Sequence, residues 1–391
     1  MNKVIPLHSL VICVGKSEQN RDAAISGFPA YEVLTVDAIS AELVGTPPQP
    51  AMMGGLFAEL RRRVVAKLEY GERVVVDAPN LRREDRVGLA RLGLSAGVPV
   101  FYLICPDATG AVEVDALSGE GVAEVIDARS MTLAPVAKGQ PDTAELAARW
   151  SGITVIADIH GMHQSMLSAL SWAAGRNHYV VFLGDIVDYG HGTLDACDEA
   201  YRRVMRGSAT MVLGNHEKKI SRWISAIERT GRADGVRLSE GNRVTTDRLS
   251  ELSNIDRARW QGRFRGLVAH AVPTRTFDDI VVAHASVHPG IWDGTATRRE
   301  IEDYAVYGEF DTDGTGSGSR GYSWVDHIPA GKTVIVGHDI RSMVAPFTQV
   351  NARGSSGIFL DTGCGKSGVL SSVDLRFDAD GSLHVENFNR H

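Results

Sequence analysis

No apolar run in this chain is long enough to span a bilayer, which takes about 20 consecutive predominantly apolar residues. The first apolar stretch, in MNKVIPLHSLVICVGKSEQN, breaks at Gly15 and Lys16. No small-residue cleavage site follows it, so the segment reads as a strand and not as a secretory leader. Paired cysteines are missing too. Cys13, Cys105, Cys197 and Cys364 are far apart in sequence and none belongs to a CxxC pair, which excludes a thiolate zinc knuckle or a dithiol redox motif and fits reduced thiols in the cytoplasm. Positive charge is not in excess either. A net charge of −7 argues against a wide electropositive track for nucleic acid, while leaving room for a small basic pocket.

The composition, 43% hydrophobic and 23% charged, is that of packed globular protein. The 391 residues exceed what one core comfortably fills, so two domains are expected. Short β-branched runs recur with helical stretches between them: LVICVG, YEVLTVD, RVVVDAPN and VPVFYLIC, then ITVIADIH, HYVVFLGD, TMVLGNH, IVVAHAS, TVIVGHD and GIFLDTG. This alternation predicts an α/β protein with parallel sheets. The rhythm falters between Cys105 and Ser151, which places the seam near residue 148, with domains 1–148 and 149–391. Residues 218–270 read as a polar helical cap inserted between strands. The Gly-, Ser- and Asp-rich stretch Glu309 to Ser323 reads as a flexible loop over a site.

Five strands in the second half end in side chains able to bind metal. ITVIA leads to Asp158 and His160, VVFLG to Asp185 and Asp188, MVLG to Asn215, His216 and Glu217, IVVA to His284, and VIVG to His338. Ligands of open α/β sheets bind at the carboxyl ends of strands. One such junction can be a turn former or a helix cap; five in order are not an accident. Carboxylate, imidazole and amide oxygen form a hard-to-borderline donor set, suited to Mn, Fe or Zn.

These motifs, DxH (Asp158 to His160), GDxxDxG (Gly184 to Gly190), GNHE (Gly214 to Glu217), the strand-end His284 and GH (Gly337, His338), resemble the calcineurin-like metallophosphoesterase family over about residues 151–378. The resemblance implies an αββα sandwich and two divalent ions, Mn foremost, with Fe, Zn or Ni as alternatives. It implies one ion on Asp158, His160 and Asp185 and the other on Asp185, Asn215, His284 and His338. It also implies His216 as general acid, oriented by Asp188. Ile340 stands where many members have a further histidine, which resembles the phosphoprotein-phosphatase branch. That branch reads GDxVDRG, whereas Tyr189 follows Asp188 here, so Arg341 and Arg299 are the candidates for gripping phosphate. Two such cations, roughly 3.5–4 Å apart, lower the pKa of a shared water enough to make it a nucleophile at neutral pH.

The N-terminal order LVICVG, LTVD, RVVVDAPNLRREDR resembles the kinase module of bacterial polynucleotide kinase-phosphatases, a P-loop α/β fold placed ahead of a metallophosphoesterase. Asp37 falls where that module's general base would lie. A phosphate-binding loop needs GxxxxGK[ST], yet the register here runs Gly15, Lys16, Ser17, Glu18, Gln19, Asn20, Arg21, Asp22. Asn20 replaces a glycine, Arg21 the lysine and Asp22 the magnesium-binding hydroxyl. No kinase activity is expected from this degenerate site. The function implied is hydrolysis of phosphomonoesters, foremost at nucleic-acid 3′ ends. Protein Ser/Thr phosphatase and dinucleoside polyphosphate hydrolase are the alternatives, with the N-terminal domain as a docking module. The expected partner is a phosphorylated nucleic-acid end, phosphoprotein or nucleotide, with no membrane; oligomeric state is left open.

Overall fold

The structure, a computed structural model, describes residues 3–6, 8–28, 32–69, 72–108, 116–117, 119–120, 123–133, 141–233, 235–312, 318–367 and 369–391. The chain divides into two compact units, Met1–Ala137 and Lys138–His391.

In the first unit the strands are β1 (Lys3–Ile5), β2 (Leu10–Val14), β3 (Val33–Thr35), β4 (Val74–Asp77), β5 (Val100–Ile104), β6 (Glu124–Asp127) and β7 (Met131–Leu133), and the helices are α1 (Glu18–Ile25), α2 (Val36–Val44), α3 (Met53–Glu69) and α4 (Arg83–Ser95). Five strands form a parallel sheet in the order β3-β4-β2-β5-β6. The central strands LVICV, VVVD and VFYLI are buried along their whole length. Strands covered by helices on both faces have no polar side to alternate, which is why they read as unbroken apolar runs. The chain enters this sheet at the central β2, fills one side with β3 and β4, then crosses to β5 and β6 on the other, so the order reverses at β2, where such sheets take ligands. Ser17 and Thr35 cap α1 and α2 through their side-chain oxygens. The sequence separation of Cys13 and Cys105 hides a contact: their Sγ atoms are 3.4 Å apart.

The second unit starts earlier than the seam expected from composition. Helix α5 (Thr143–Ala147), opened by a capping box on Asp142, puts Leu146 into the second unit's own core. There follow β8 (Gly152–Ile156), α6 (His163–Gly175), β9 (His178–Phe182), α7 (Thr193–Met205), β10 (Ala209–Met211), α8 (Asn215–Thr230), α9 (Glu240–Glu251), α10 (Asn254–His270), β11 (Thr274–Phe277), β12 (Ile280–Ala283), α11 (Arg298–Tyr307), β13 (Glu309–Thr312), β14 (Gly318–Gly321), β15 (Thr333–Val336), β16 (Phe347–Val350), β17 (Ser356–Phe359), α12 (Cys364–Ser367), β18 (Ser371–Phe377) and β19 (Leu383–Arg390).

Two mixed sheets, β10-β9-β8-β18-β19 and β11-β12-β15-β17-β16, stack face to face with helices outside, an α/β sandwich. Strand β12 shows how. Ile280 and Val282 join the core shared with the first sheet, while Val281 and Ala283 point the other way, to Ala305 and Trp324, as a side-chain period of two requires. The stretch 218–270 holds the rest of α8 and the helices α9 and α10. Their inner faces join the main core through Ile220, Ile224, Leu249, Trp260, Phe264 and Leu267, and Trp260 Nε1 donates to the Leu194 carbonyl at 3.1 Å. The stretch expected as a flexible loop is in part an antiparallel hairpin of β13 and β14; its residues 313–317 lie outside the described residues. Among the described residues no helix is long and apolar enough to cross a membrane.

Candidate metal centre

The strand-end residues converge. In the first sheet β8, β9 and β10 run parallel side by side; in the second, β12, β15 and β17 do the same. Their carboxyl ends therefore deliver Asp158, His160, Asp185, Asn215, His216, His284 and His338 to one place. The turns that aim them are strained. Of the eight non-glycine residues with positive φ among the described residues, five are His160, Asp185, Asp188, Tyr189 and His338, at +49° to +79°. Backbone in this region costs energy and persists where the surroundings enforce it, commonly at functional sites. Glycines clear the space: a Cβ on Gly337 would collide with Asp158 Oδ1, and one on Gly214 with Asp185 Oδ1.

Two sets of donor atoms form. His160, Asp185 and His216 make one, and Asp185, His284 and His338 the other, the atoms of each lying within 4.8 Å of one another. Asp185 belongs to both. Its Oδ2 is 3.9 Å from His160 Nε2, 3.8 Å from His216 Nε2 and 3.4 Å from His284 Nε2, and Asn215 Oδ1 is 3.0 Å from His284 Nε2. Both oxygens of buried Asp158 accept the His338 N–H at 3.0 Å. His338 Nε2 is buried with no hydrogen-bond partner among the described residues. An orphaned imidazole nitrogen beside converging carboxylates is what divalent cations would satisfy, so the residues present fit such ions.

The ring nitrogens turned away from the cluster are tied to backbone. His284 Nδ1 donates to the Leu183 carbonyl at 2.7 Å and His160 Nδ1 to that of Val187 at 3.2 Å, which leaves each Nε2 facing inward. Burial depresses the His160 pKa to about 4. Burial, with His284 and Arg320 next, depresses that of His338 to about 2. Both rings are therefore neutral, the form that ligates. Asp158 is pushed the other way, well above the carboxylate range, by burial and by Asp361. Burial alone would lower His284, but Asp185 outweighs it and raises the pKa to about 10. In His216 burial is likewise outweighed by Asp185 and by the Asp188 hydrogen bond, so its pKa is raised.

His216 Nδ1 is 2.6 Å from Asp188 Oδ2. Asp188 is held in turn by residues that motif reading missed. Thr245 Oγ1 donates to its Oδ1 at 2.5 Å, Asn242 Nδ2 donates to its Oδ2, and its own N–H reaches Thr193 and Thr245 at 2.9 and 3.0 Å. Asn242 and Thr245 lie on α9, so the helical stretch braces the site from inside. Glu217, read as metal-capable, is committed elsewhere: its carboxylate accepts the N–H groups of Asp185 and Ile186 at 2.8 Å and of Val187 at 3.3 Å, fixing the turn after β9. Asp361, at the end of β17, was missed although its strand-end position is the same signal; burial raises its pKa to about 6.

The phosphate-gripping candidates do not fare alike. Arg299 has a side chain 91% exposed and pairs with Asp303 along its own helix at 3.6 Å; among the described residues no contact brings it to the cluster. Arg341 stacks its guanidinium on Tyr322, Phe347 and Phe359, at 4.1, 5.0 and 5.2 Å from the ring centroids, so the cation is taken up by aromatic faces. Arg320 is a further cation near this end of the sheet: it is one of the influences that lower the His338 pKa, and its Nη1 is 3.5 Å from Asp339. In the first unit, Asp37 is exposed in the first turn of α2. Gly15 and Arg21 sit together, with Arg21 Nη1 donating to the Gly15 and Lys16 carbonyls and Nε to Asp77 at 2.7 Å.

Comparison with known proteins agrees with this geometry. Residues 152–340 match the family described as calcineurin-like phosphoesterase. A bis(5′-nucleosyl)-tetraphosphatase of Halalkalibacterium halodurans is 25% identical over 57% of this chain and 89% of its own length. One of Anoxybacillus flavithermus is 24% identical over 56% and 88%. A metallophosphoesterase structure from Sphaerobacter thermophilus aligns at 18% identity and a TM-score of 0.37, covering 61% of this chain and 88% of that one. On the family match and the tetraphosphatase relatives, residues 152–340 carry a calcineurin-like phosphoesterase domain and the protein is a metal-dependent hydrolase. Such phosphoesterases use a dinuclear divalent centre.

Proposed function

We propose that the second unit hydrolyses phosphoanhydride or phosphoester bonds at a dinuclear centre, with nucleoside polyphosphates as the leading substrate class. The observation that carries the reading is the shared position of Asp185 between two donor sets. In it, Asp158, His160 and Asp185 hold one cation, and Asp185, Asn215, His284 and His338 the other. When bound, the ions, Mn foremost, supply a water activated for attack on phosphorus and neutralise charge on its oxygens. His216, though within ligand distance, serves as the proton donor. Asp188 accepts the Nδ1–H and, with Asp185, favours the imidazolium, whose second proton on Nε2 is the one given to the departing oxygen. Arg320, not Arg299 or Arg341, is the side-chain cation for substrate phosphate.

The substrate class is supported by the curated relatives, which are tetraphosphatases of dinucleosides, more than by the domain order that suggested nucleic-acid ends. The first unit has no phosphoryl-transfer activity in this reading, because its loop is neutralised from within. Asp107 Oδ2 accepts the Ser17 N–H at 2.6 Å, where an anion would be cradled, and Arg21 fills the space between loop and Asp77.

A substrate panel with Mn, Ni, Fe or Zn tests this: a dinucleoside tetraphosphate, a 3′-phosphorylated oligonucleotide, a phosphopeptide and p-nitrophenyl phosphate. The expected rank puts the dinucleoside tetraphosphate first. Failure of every substrate with every metal overturns the hydrolase assignment, and a phosphopeptide or 3′-phosphate in first place overturns the substrate class.

A further inference from the structure

We infer that Tyr189 makes the site discriminate by phosphate charge, favouring phosphodiesters and phosphoanhydrides, whose reacting phosphorus carries one negative charge, over phosphomonoester dianions. This rests on the dinuclear reading above. Tyr189 borders the donor set that holds His160 and His216. Its ring packs edge-on against His160 with centroids 4.7 Å apart and tilted against His216 at 5.6 Å, that is, between a ligand and the proton donor.

The ring is held there at a cost. Tyr189 has φ +58° and follows Asp188 at +79°, conformations rarely adopted by bulky side chains. Its N–H donates to the Gly241 carbonyl at 3.0 Å. A Cβ on Gly241 would stand 2.7 Å from Tyr189 Cε1 and Cζ, and one on Gly365 3.2 Å from Tyr189 Cβ. The first turn of α9 thus closes on the ring at a glycine, and Gly365 in α12 packs against the Cβ atoms of Tyr189 and His160.

What the ring brings is an aromatic edge and one neutral O–H donor, with no charge. Of the nearby arginines, Arg341 is stacked on three aromatic rings, and Arg320, the cation assigned to phosphate above, is shared with Asp339; Tyr189 adds no second positive charge. A dianionic phosphoryl group has three charged oxygens to neutralise, and charge-assisted bonds are about twice as strong as neutral ones. A diester or internal anhydride has fewer charged oxygens and an extra substituent, which an aromatic edge accommodates.

The test uses the metal-loaded full chain and two esters with the same leaving group, p-nitrophenyl phosphate and bis(p-nitrophenyl) phosphate, so that demand on His216 is equal. Wild type is expected to prefer the diester in kcat/KM. Tyr189→Arg is expected to shift that ratio toward the monoester by about tenfold, mainly through KM, and Tyr189→Phe to leave it within about threefold. Calorimetric binding of orthophosphate and of unreactive dimethyl phosphate reads the same discrimination without turnover: Tyr189→Arg should tighten orthophosphate alone. Should the arginine variant not fold, Tyr189→Lys takes its place. A wild-type preference for the monoester, or an unshifted ratio in a folded cationic variant, overturns the role of Tyr189. Absence of hydrolysis of either ester with any metal overturns the dinuclear reading instead, and the binding arm then decides the role of Tyr189.

Discussion

In the first unit the loop after β2 is closed by charges belonging to the chain: Arg21 spans from the Gly15 and Lys16 carbonyls to Asp77, and Asp107 sits on the Ser17 N–H. In the second unit the strand ends bring carboxylates and imidazoles to face one another with too few internal cations, leaving His338 Nε2 unbonded and Asp158 pushed toward its protonated form. Both places lie at the carboxyl edge of a parallel sheet segment, where ligands bind. Their difference separates a neutralised site, which is complete as folded, from a frustrated one, which external cations complete. Removing a charge from the first should cost stability, and removing one from the second should cost function.

The largest effect expected is on the shared ligand. Asp185→Ala should lower kcat/KM by about 10⁴-fold or more, because both cations lose a donor, and metal analysis should show reduced occupancy. Near-wild-type turnover would break the contrast at its centre. Next, His216→Ala should cost about 10²–10⁴-fold on a poor leaving group such as a nucleotide, the range of general acid catalysis, but under about tenfold on p-nitrophenolate, which departs without a proton. Equal losses on both would remove His216 as donor. In the first unit, Arg21→Ala should destabilise that unit by about 3–5 kcal/mol, since it strands Asp77 as a buried unpaired charge. Hydrogen exchange over β2 to β4 reads this, while hydrolysis stays within twofold. A loss of hydrolysis with intact exchange protection would reverse the assignment of which unit does what.

The sequence made most of the metal centre legible and little of what holds it. Ligands announced themselves because each must stand where a buried strand ends, so a short apolar run followed by Asp or His is visible without coordinates. Glu217 was visible as a donor but not as a brace, because its three backbone partners come from the turn after β9, and backbone has no sequence signature. Asn242 and Thr245 were invisible: they lie in a helix that reads as polar cap, and only packing turns that helix's first turns toward Asp188. Arg320 was passed over inside a Gly- and Ser-rich stretch that reads as loop, although β14 presents it on a paired strand. Arg341 was favoured for its nearness to His338, which says nothing of the aromatic faces that capture it. The seam was placed late because α5 is too short to show a helical period, while its capping box and Leu146 belong to the second core.

The smallest effect expected is the most specific to a frustrated site. In the folded apoprotein Asp158 binds its proton more tightly than in the unfolded chain, burial being the main cause and Asp361 the next. A carboxyl whose folded pKa is raised favours the fold at low pH, and that contribution is lost as pH climbs past the ordinary carboxylate range. At neutral pH the apoprotein therefore carries a penalty that cations relieve. Asp158→Asn keeps an acceptor for the His338 N–H but removes the charge. It should raise apoprotein stability at pH 7 by about 1–2 kcal/mol, flatten its decline with pH, and abolish much of the gain in Tm that metal gives the wild type. Thermal melts with and without Mn across pH 5 to 8 measure all three, and a variant less stable than wild type in the absence of metal would mean that Asp158 is already satisfied within the fold, as Asp77 is in the first unit.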